Sequence, residues 1–172
     1  RLAGTSISSD GRLLAYARTN ANGSLMTWRV RDVETGNDLA DELKNIASNA
    51  VAWTPDGKGF FYSDSAEAFG GDAAAGGATQ NAVRYHVLGR PQSEDVLVYE
   101  RAGRSNWAID VAVTEDGRYS VLVANAGLDR ALLFRDLRTR PPGQPPTAGD
   151  LVIRDAERAL RRISEQVSAL KQ

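Results

Sequence analysis

The sequence predicts a mainly β protein: an incomplete β-propeller of about three four-stranded antiparallel blades, followed by a C-terminal α-helix. Three observations lead there. A Ser/Thr-x-Asp-Gly-basic signature recurs three times, with apolar residues on both sides. Its spacing suits a four-stranded propeller blade. Beyond residue 150 the apolar period changes from that of a strand to that of a helix.

The first observation fixes the inner hairpins. The signatures are Ser8-Ser-Asp-Gly-Arg-Leu-Leu-Ala-Tyr16, Thr54-Pro-Asp-Gly-Lys-Gly-Phe-Phe-Tyr62 and Thr114-Glu-Asp-Gly-Arg-Tyr-Ser-Val-Leu122. Asp-Gly favours a tight hairpin in which both central positions take positive φ, which Gly accepts freely and Asp tolerates. The preceding Ser or Thr can hydrogen-bond across the turn. Ile7, then Val51 and Trp53, then Val111 and Val113 supply the strand entering each turn. Each unit therefore reads strand, turn, strand.

Spacing supplies the outer hairpins. Asp10, Asp56 and Asp116 lie at intervals of 46 and 60 residues, and the longer interval contains a Gly/Ala-rich insertion. In the first blade (4–40), Met26–Asp32 and a strand after the Glu34–Asn37 turn complete the sheet. Ala82–Leu88 and Asp95–Tyr99 do so in the second (47–100). The third (107–137) offers Ala131–Arg135 and then meets prolines before a fourth strand. A β-sandwich would also show short strands with frequent turns; the fixed signature at blade spacing favours blades. Blades bury their faces on their neighbours, so three of them leave a flank exposed.

Composition shifts mark the rest. Ala66–Ala78 is so rich in glycine and alanine that a mobile surface loop is expected. A phosphate-binding loop is the sharper alternative, but no Lys-Ser/Thr follows. Four of the six prolines fall in residues 138–150, an extended linker between a body (1–137) and a tail (151–172). Ile153, Ala156, Leu160, Ile163, Val167 and Leu170 form an apolar stripe along the tail, which predicts an amphipathic helix. That stripe could dock on the open blade edge, pair with a second copy as a short coiled coil, or be fortuitous sequence beyond a broken family domain.

Bulk properties exclude several function classes. The 172 residues carry a net charge of −1, with no cysteine and one histidine. Near-neutral charge gives no electrostatic case for nucleic acid or an anionic membrane. Without cysteine there is no disulfide, thiolate nucleophile or cysteine–zinc site. No cofactor or metal is expected. No apolar run reaches the roughly 20 residues needed to span a bilayer. The chain begins at Arg1 with no basic-then-apolar leader, so a cytoplasmic or periplasmic location is expected.

Longer runs carry a family likeness. Thr27-Trp-Arg-Val-Arg-Asp-Val-Glu-Thr-Gly36, Ala52-Trp-Thr-Pro-Asp-Gly-Lys-Gly-Phe-Phe-Tyr62 and Leu88-Gly-Arg-Pro-Gln-Ser-Glu-Asp-Val-Leu-Val-Tyr-Glu100 are the most specific. With Val113–Tyr119 and Leu133–Leu137, they resemble the N-terminal propeller of prolyl oligopeptidases, in order, over about residues 4–137. The resemblance implies a two-domain serine peptidase. In it a seven-bladed propeller covers an α/β-hydrolase domain and admits short peptides, which are cut after proline. It implies no catalytic residue here, because no G-x-S-x-G nucleophile turn occurs in the chain. The expected partners are that hydrolase domain and short peptides. An alternative is a non-enzymatic binding module that oligomerises through its C-terminal helix.

No catalytic site residue is assigned. His86, the one imidazole, lies in a strand with no glycine-flanked serine and no defined acidic orienter, so a scaffold role is expected. Asp10, Asp56 and Asp116 repeat at turns, which argues for turn chemistry. Trp28, Trp53 and Trp107 sit at blade positions, where packing is the ordinary role and peptide contact in a central channel the sharper one.

Overall fold

A computed structural model describes residues 1–19, 25–46, 48, 50–65, 80–100, 108–126, 129–138 and 151–153. Within them, twelve strands form three four-stranded antiparallel sheets. The first blade contains β1 (Leu2–Ile7), β2 (Leu13–Thr19), β3 (Met26–Asp32) and β4 (Asp38–Ile46). The second contains β5 (Val51–Trp53), β6 (Gly59–Ser65), β7 (Gln80–Val87) and β8 (Val96–Glu100), with a 3-10 turn at Gln92–Glu94 before β8. The third contains β9 (Ala108–Val113), β10 (Tyr119–Ala126), β11 (Asp129–Asp136) and β12 (Leu151–Ile153). Strand order in every sheet follows the sequence, which is the meander expected of a blade.

Two sequence expectations change here. The predicted helix over 151–172 is not supported, because its first three residues form β12. Leu132 pairs with Ile153, and Phe134 with Leu151. The fourth strand missing from the third blade thus comes from beyond the proline linker. At these three residues, strand pairing at the sheet edge overrides the helical apolar period. Residues 154–172 lie outside the described residues, as do Trp107, the Ala66–Ala78 loop and linker residues 139–150. Among the described residues, no helix is long and apolar enough to cross a membrane.

The second change concerns the repeated turn. Gly11, Gly57 and Gly117 have φ of +73°, +64° and +68°, but Asn45 is the one non-glycine described residue at positive φ. Each Asp therefore stays out of the left-handed region, and its side chain organises the turn instead. Asp10 Oδ1 accepts hydrogen bonds from the Ser8 hydroxyl (2.6 Å) and the Arg12 N–H (3.1 Å). Asp56 Oδ1 takes the same pair from Thr54 (2.7 Å) and Lys58 (3.2 Å), and Asp116 Oδ1 from Thr114 (2.6 Å) and Arg118 (3.0 Å). In each turn the glycine N–H donates to the Ser/Thr carbonyl three residues back, at 2.7–3.0 Å. Only glycine takes the following left-handed position without cost. The signature encodes a four-residue hairpin loop, used three times.

Apolar faces stack between the sheets. Met26, Trp28, Val30, Leu43 and Ile46 of the first blade meet Trp53, Phe60 and Tyr62 of the second in one buried cluster. Phe61, Val83 and Tyr85, from the opposite face of the second blade, meet Ile109, Leu122 and Leu133 of the third. The alternation of Phe60, Phe61 and Tyr62 between the two clusters is the period-two consequence of a strand buried on both faces.

The turns also pack. A Cβ on Gly117 would lie 2.1 Å from Pro55 Cγ in the second blade's turn, whereas a Cβ on Gly57 would meet nothing within 4 Å. Gly57→Ala is expected to lose about 1 kcal/mol, the cost of the left-handed backbone alone. Gly117→Ala should lose about 1–3 kcal/mol more, because the two turns must move apart. Urea midpoints of the two variants measure the difference; equal losses would contradict the turn-to-turn packing.

Candidate functional site

Among the described residues, two places combine polar chemistry with a fixed position. The first is a groove of about 480 Å³ at the first strands of the three blades, where β5 lies between β1 and β9. Side-chain-to-main-chain hydrogen bonds join its walls: the Ser6 hydroxyl donates to the Val51 carbonyl (3.1 Å), and Trp53 Nε1–H to the Ser6 carbonyl (3.2 Å). Trp53 is almost wholly buried yet contributes to the groove wall, so it serves packing and lining together. Ile7, Val51, Val111 and Val113 make the rest of the wall apolar, and Glu115 places a carboxylate on it.

The groove contains hydroxyls, from Ser6, Ser9 and Thr114, but no His, Lys or Arg among its described lining residues. A serine hydroxyl is a poor nucleophile without an adjacent base. An apolar wall with a few polar groups fits binding, not bond cleavage.

The second place is the seam between the first two blades, and sequence reasoning missed it. His86 on β7 is 1% exposed at its side chain, as is Asp95, while Asp41 on β4 is 2% exposed. The ring contacts both carboxylates: Nδ1 lies 2.7 Å from Asp95 Oδ1 and Nε2 lies 3.1 Å from Asp41 Oδ1. The network continues outward. The Gly89 N–H donates to Asp41 Oδ1 (2.6 Å), and the Tyr62 hydroxyl donates to Asp95 Oδ2 (2.7 Å). Two acidic orienters therefore face the histidine, one from each blade.

Geometry and electrostatics agree on its protonation. A neutral imidazole donates from one nitrogen only, whereas the imidazolium donates from both. Burial pushes His86 toward neutrality, but hydrogen bonds to Asp41 and Asp95 outweigh it and raise its pKa to about 9. Burial likewise opposes the charge on Asp41, yet the His86 bond and the Gly89 N–H hold it below the ordinary carboxylate range. Burial, then the charge of Asp95, pushes the Tyr62 hydroxyl well above its usual value.

A sealed imidazole with both nitrogens engaged has no free lone pair to offer a substrate proton. Nearby, Asp64 of β6 and Arg84 of β7 form a partly buried ion pair at 3.1 Å. The Gln92 side-chain amide also bridges the blades, accepting from the Lys44 N–H (2.9 Å) and donating to the Lys44 carbonyl (3.0 Å). Asp10, Asp56 and Asp116 remain apart, one per turn. Trp28 packs inside, 1% exposed, with Nε1–H donating to the Ser48 carbonyl at 3.0 Å.

Known proteins share the blade architecture. The family model described as prolyl oligopeptidase, N-terminal beta-propeller domain, matches residues 1–162. Prolyl oligopeptidase A of Galerina marginata is 34% identical over 131 residues, which is 67% of this chain and 18% of that protein. A prolyl endopeptidase of Elizabethkingia meningoseptica is 30% identical over 149 residues, 86% of this chain and 21% of that protein. The solved structure of Galerina marginata prolyl oligopeptidase B bound to a 35mer substrate superposes with a TM-score of 0.71 at 24% identity. The match covers 89% of this chain and 22% of that one, and shows the fold alone. The chain thus spans about a fifth of the length of the relatives it matches.

Proposed function

The chain belongs to the prolyl oligopeptidase family, as part of its N-terminal β-propeller domain, and we propose that these blades form the substrate-gating wall of a serine endopeptidase that cleaves short peptides after proline. Catalysis comes from an α/β-hydrolase domain that the described blades do not contain. Its partners are that domain and short peptides.

The observation that carries this reading is the groove. Three first strands held side by side present a continuous wall with apolar and hydroxyl groups and one carboxylate, suited to contact an extended peptide in passing. The same three strands would curve around a central channel once further blades close the ring. The relatives, a prolyl oligopeptidase and a prolyl endopeptidase, supply the peptide class.

Complementation tests the proposal. The chain is mixed with a separately made polypeptide carrying the hydrolase domain and remaining propeller of a prolyl endopeptidase. Cleavage of a Pro-X reporter is expected to appear on mixing and to saturate with added chain. Absence of cleavage at every ratio, with both polypeptides folded, would overturn it.

A further inference from the structure

We propose that Asp41, His86 and Asp95 form a proton-controlled latch across the seam between the first two blades. Loss of one proton from the imidazolium releases the β4 edge from the Gly89–Asp95 segment. The apolar cluster behind it remains packed. This concerns the seam alone and stands whether or not the chain gates a peptidase.

The positions of the three groups carry the inference. Asp41 belongs to the outermost strand of the first blade; His86 and Asp95 belong to the second. With the proton present, one cation sits between two anions and each ring nitrogen donates. Without it, two buried carboxylates share a single ring N–H. One of them then faces a nitrogen lone pair at hydrogen-bond distance in a sealed space. Such an unpaired buried charge is expensive, and opening the seam to water relieves it.

Among the described residues, the charged and titratable groups facing the ring are few. β4 offers Asp41, the segment before β8 offers Asp95, and β6 offers Tyr62 behind Asp95. Arg84 of β7 is engaged with Asp64 of β6, and Phe60 of β6 presents a ring 5.3 Å from the imidazole. None of these groups replaces the lost proton. Tyr62 already gives its one proton to Asp95, and its raised pKa keeps it neutral through the transition.

The sign follows from the elevated value. A histidine that binds its proton more tightly when folded stabilises the seam fully below the ordinary pKa of 6.5, and that contribution is lost as pH rises through about 9. A single histidine in the chain makes the titration unambiguous.

The test is NMR on the full 172-residue chain. The His86 ring signals are followed from pH 6 to 11, together with amide exchange at Gly89 and Lys44, corrected for intrinsic base catalysis. The ring is expected to bind its proton roughly 100-fold or more tightly than a free histidine. Exchange at Gly89 and Lys44 should accelerate at least about tenfold across the same midpoint, while amides of Val30 and Phe60 stay protected. Asp41→Asn removes one anion and keeps the shape. It should lower the ring midpoint and raise Gly89 exchange at neutral pH. A ring that titrates near the free value would overturn the proposal. So would a ring that titrates high with unchanged exchange at Gly89 and Lys44, or an Asp41→Asn variant with wild-type exchange.

Discussion

Gly59→Ala is expected to destabilise the chain by about 3 kcal/mol or more, although it adds one methyl group. Gly59 opens β6, where it pairs with Val87 of β7. A Cβ there would lie 2.1 Å from the His86 carbonyl oxygen and 2.7 Å from the Tyr85 hydroxyl. The hydroxyl could swing away; the carbonyl belongs to the β6–β7 ladder and cannot move without parting the strands. The disturbance also reaches the residue that latches the two blades. Denaturant midpoints measure it, with Gly57→Ala as the reference for a glycine in open space. A loss no larger than that reference would show that β6 and β7 are not so closely apposed.

Trp28→Ala should cost a comparable 3–5 kcal/mol. Its ring is buried between the first two blades, with Ala15, Val30 and Leu43 in the same cluster. Removing the indole leaves a cavity and deprives the Ser48 carbonyl of its donor. Trp28→Phe separates the two contributions, since it keeps most of the volume and gives up the hydrogen bond, at about 1–2 kcal/mol. If both variants unfold at the wild-type midpoint, the seam between the first two blades is not the core described here.

The features legible in the sequence are those with short-range causes. A signature of Ser/Thr, Asp, Gly and a basic residue marks a hairpin loop because every contact in it lies within five residues. The signature locates the turn correctly but misleads about Asp. Its carboxylate holds the hydroxyl and the next N–H, and glycine alone takes positive φ. β12 is hidden because its three residues follow a proline-rich stretch and begin an apolar stripe with helical period.

The His86 site is hidden for a different reason. Asp41 lies 45 residues away on another sheet, and Asp95 lies nine residues beyond His86, just after the 3-10 turn at Gln92–Glu94. One signal exists. Arg84 and His86 share a face of β7 with Ala82, on a strand otherwise rich in apolar residues. Two polar side chains on a buried strand face require partners, and Asp64, Asp41 and Asp95 are those partners.

A chimera tests the central claim, that these are three blades of a peptidase's gating propeller, most directly. Residues 1–153 replace the corresponding blades of the Elizabethkingia meningoseptica prolyl endopeptidase, and cleavage after proline is compared between a short peptide and the same sequence embedded in a long folded polypeptide. The account predicts that the chimera cleaves the short peptide and retains the parent's preference for it over the long substrate. A folded chimera that cleaves both equally, or neither, would contradict it.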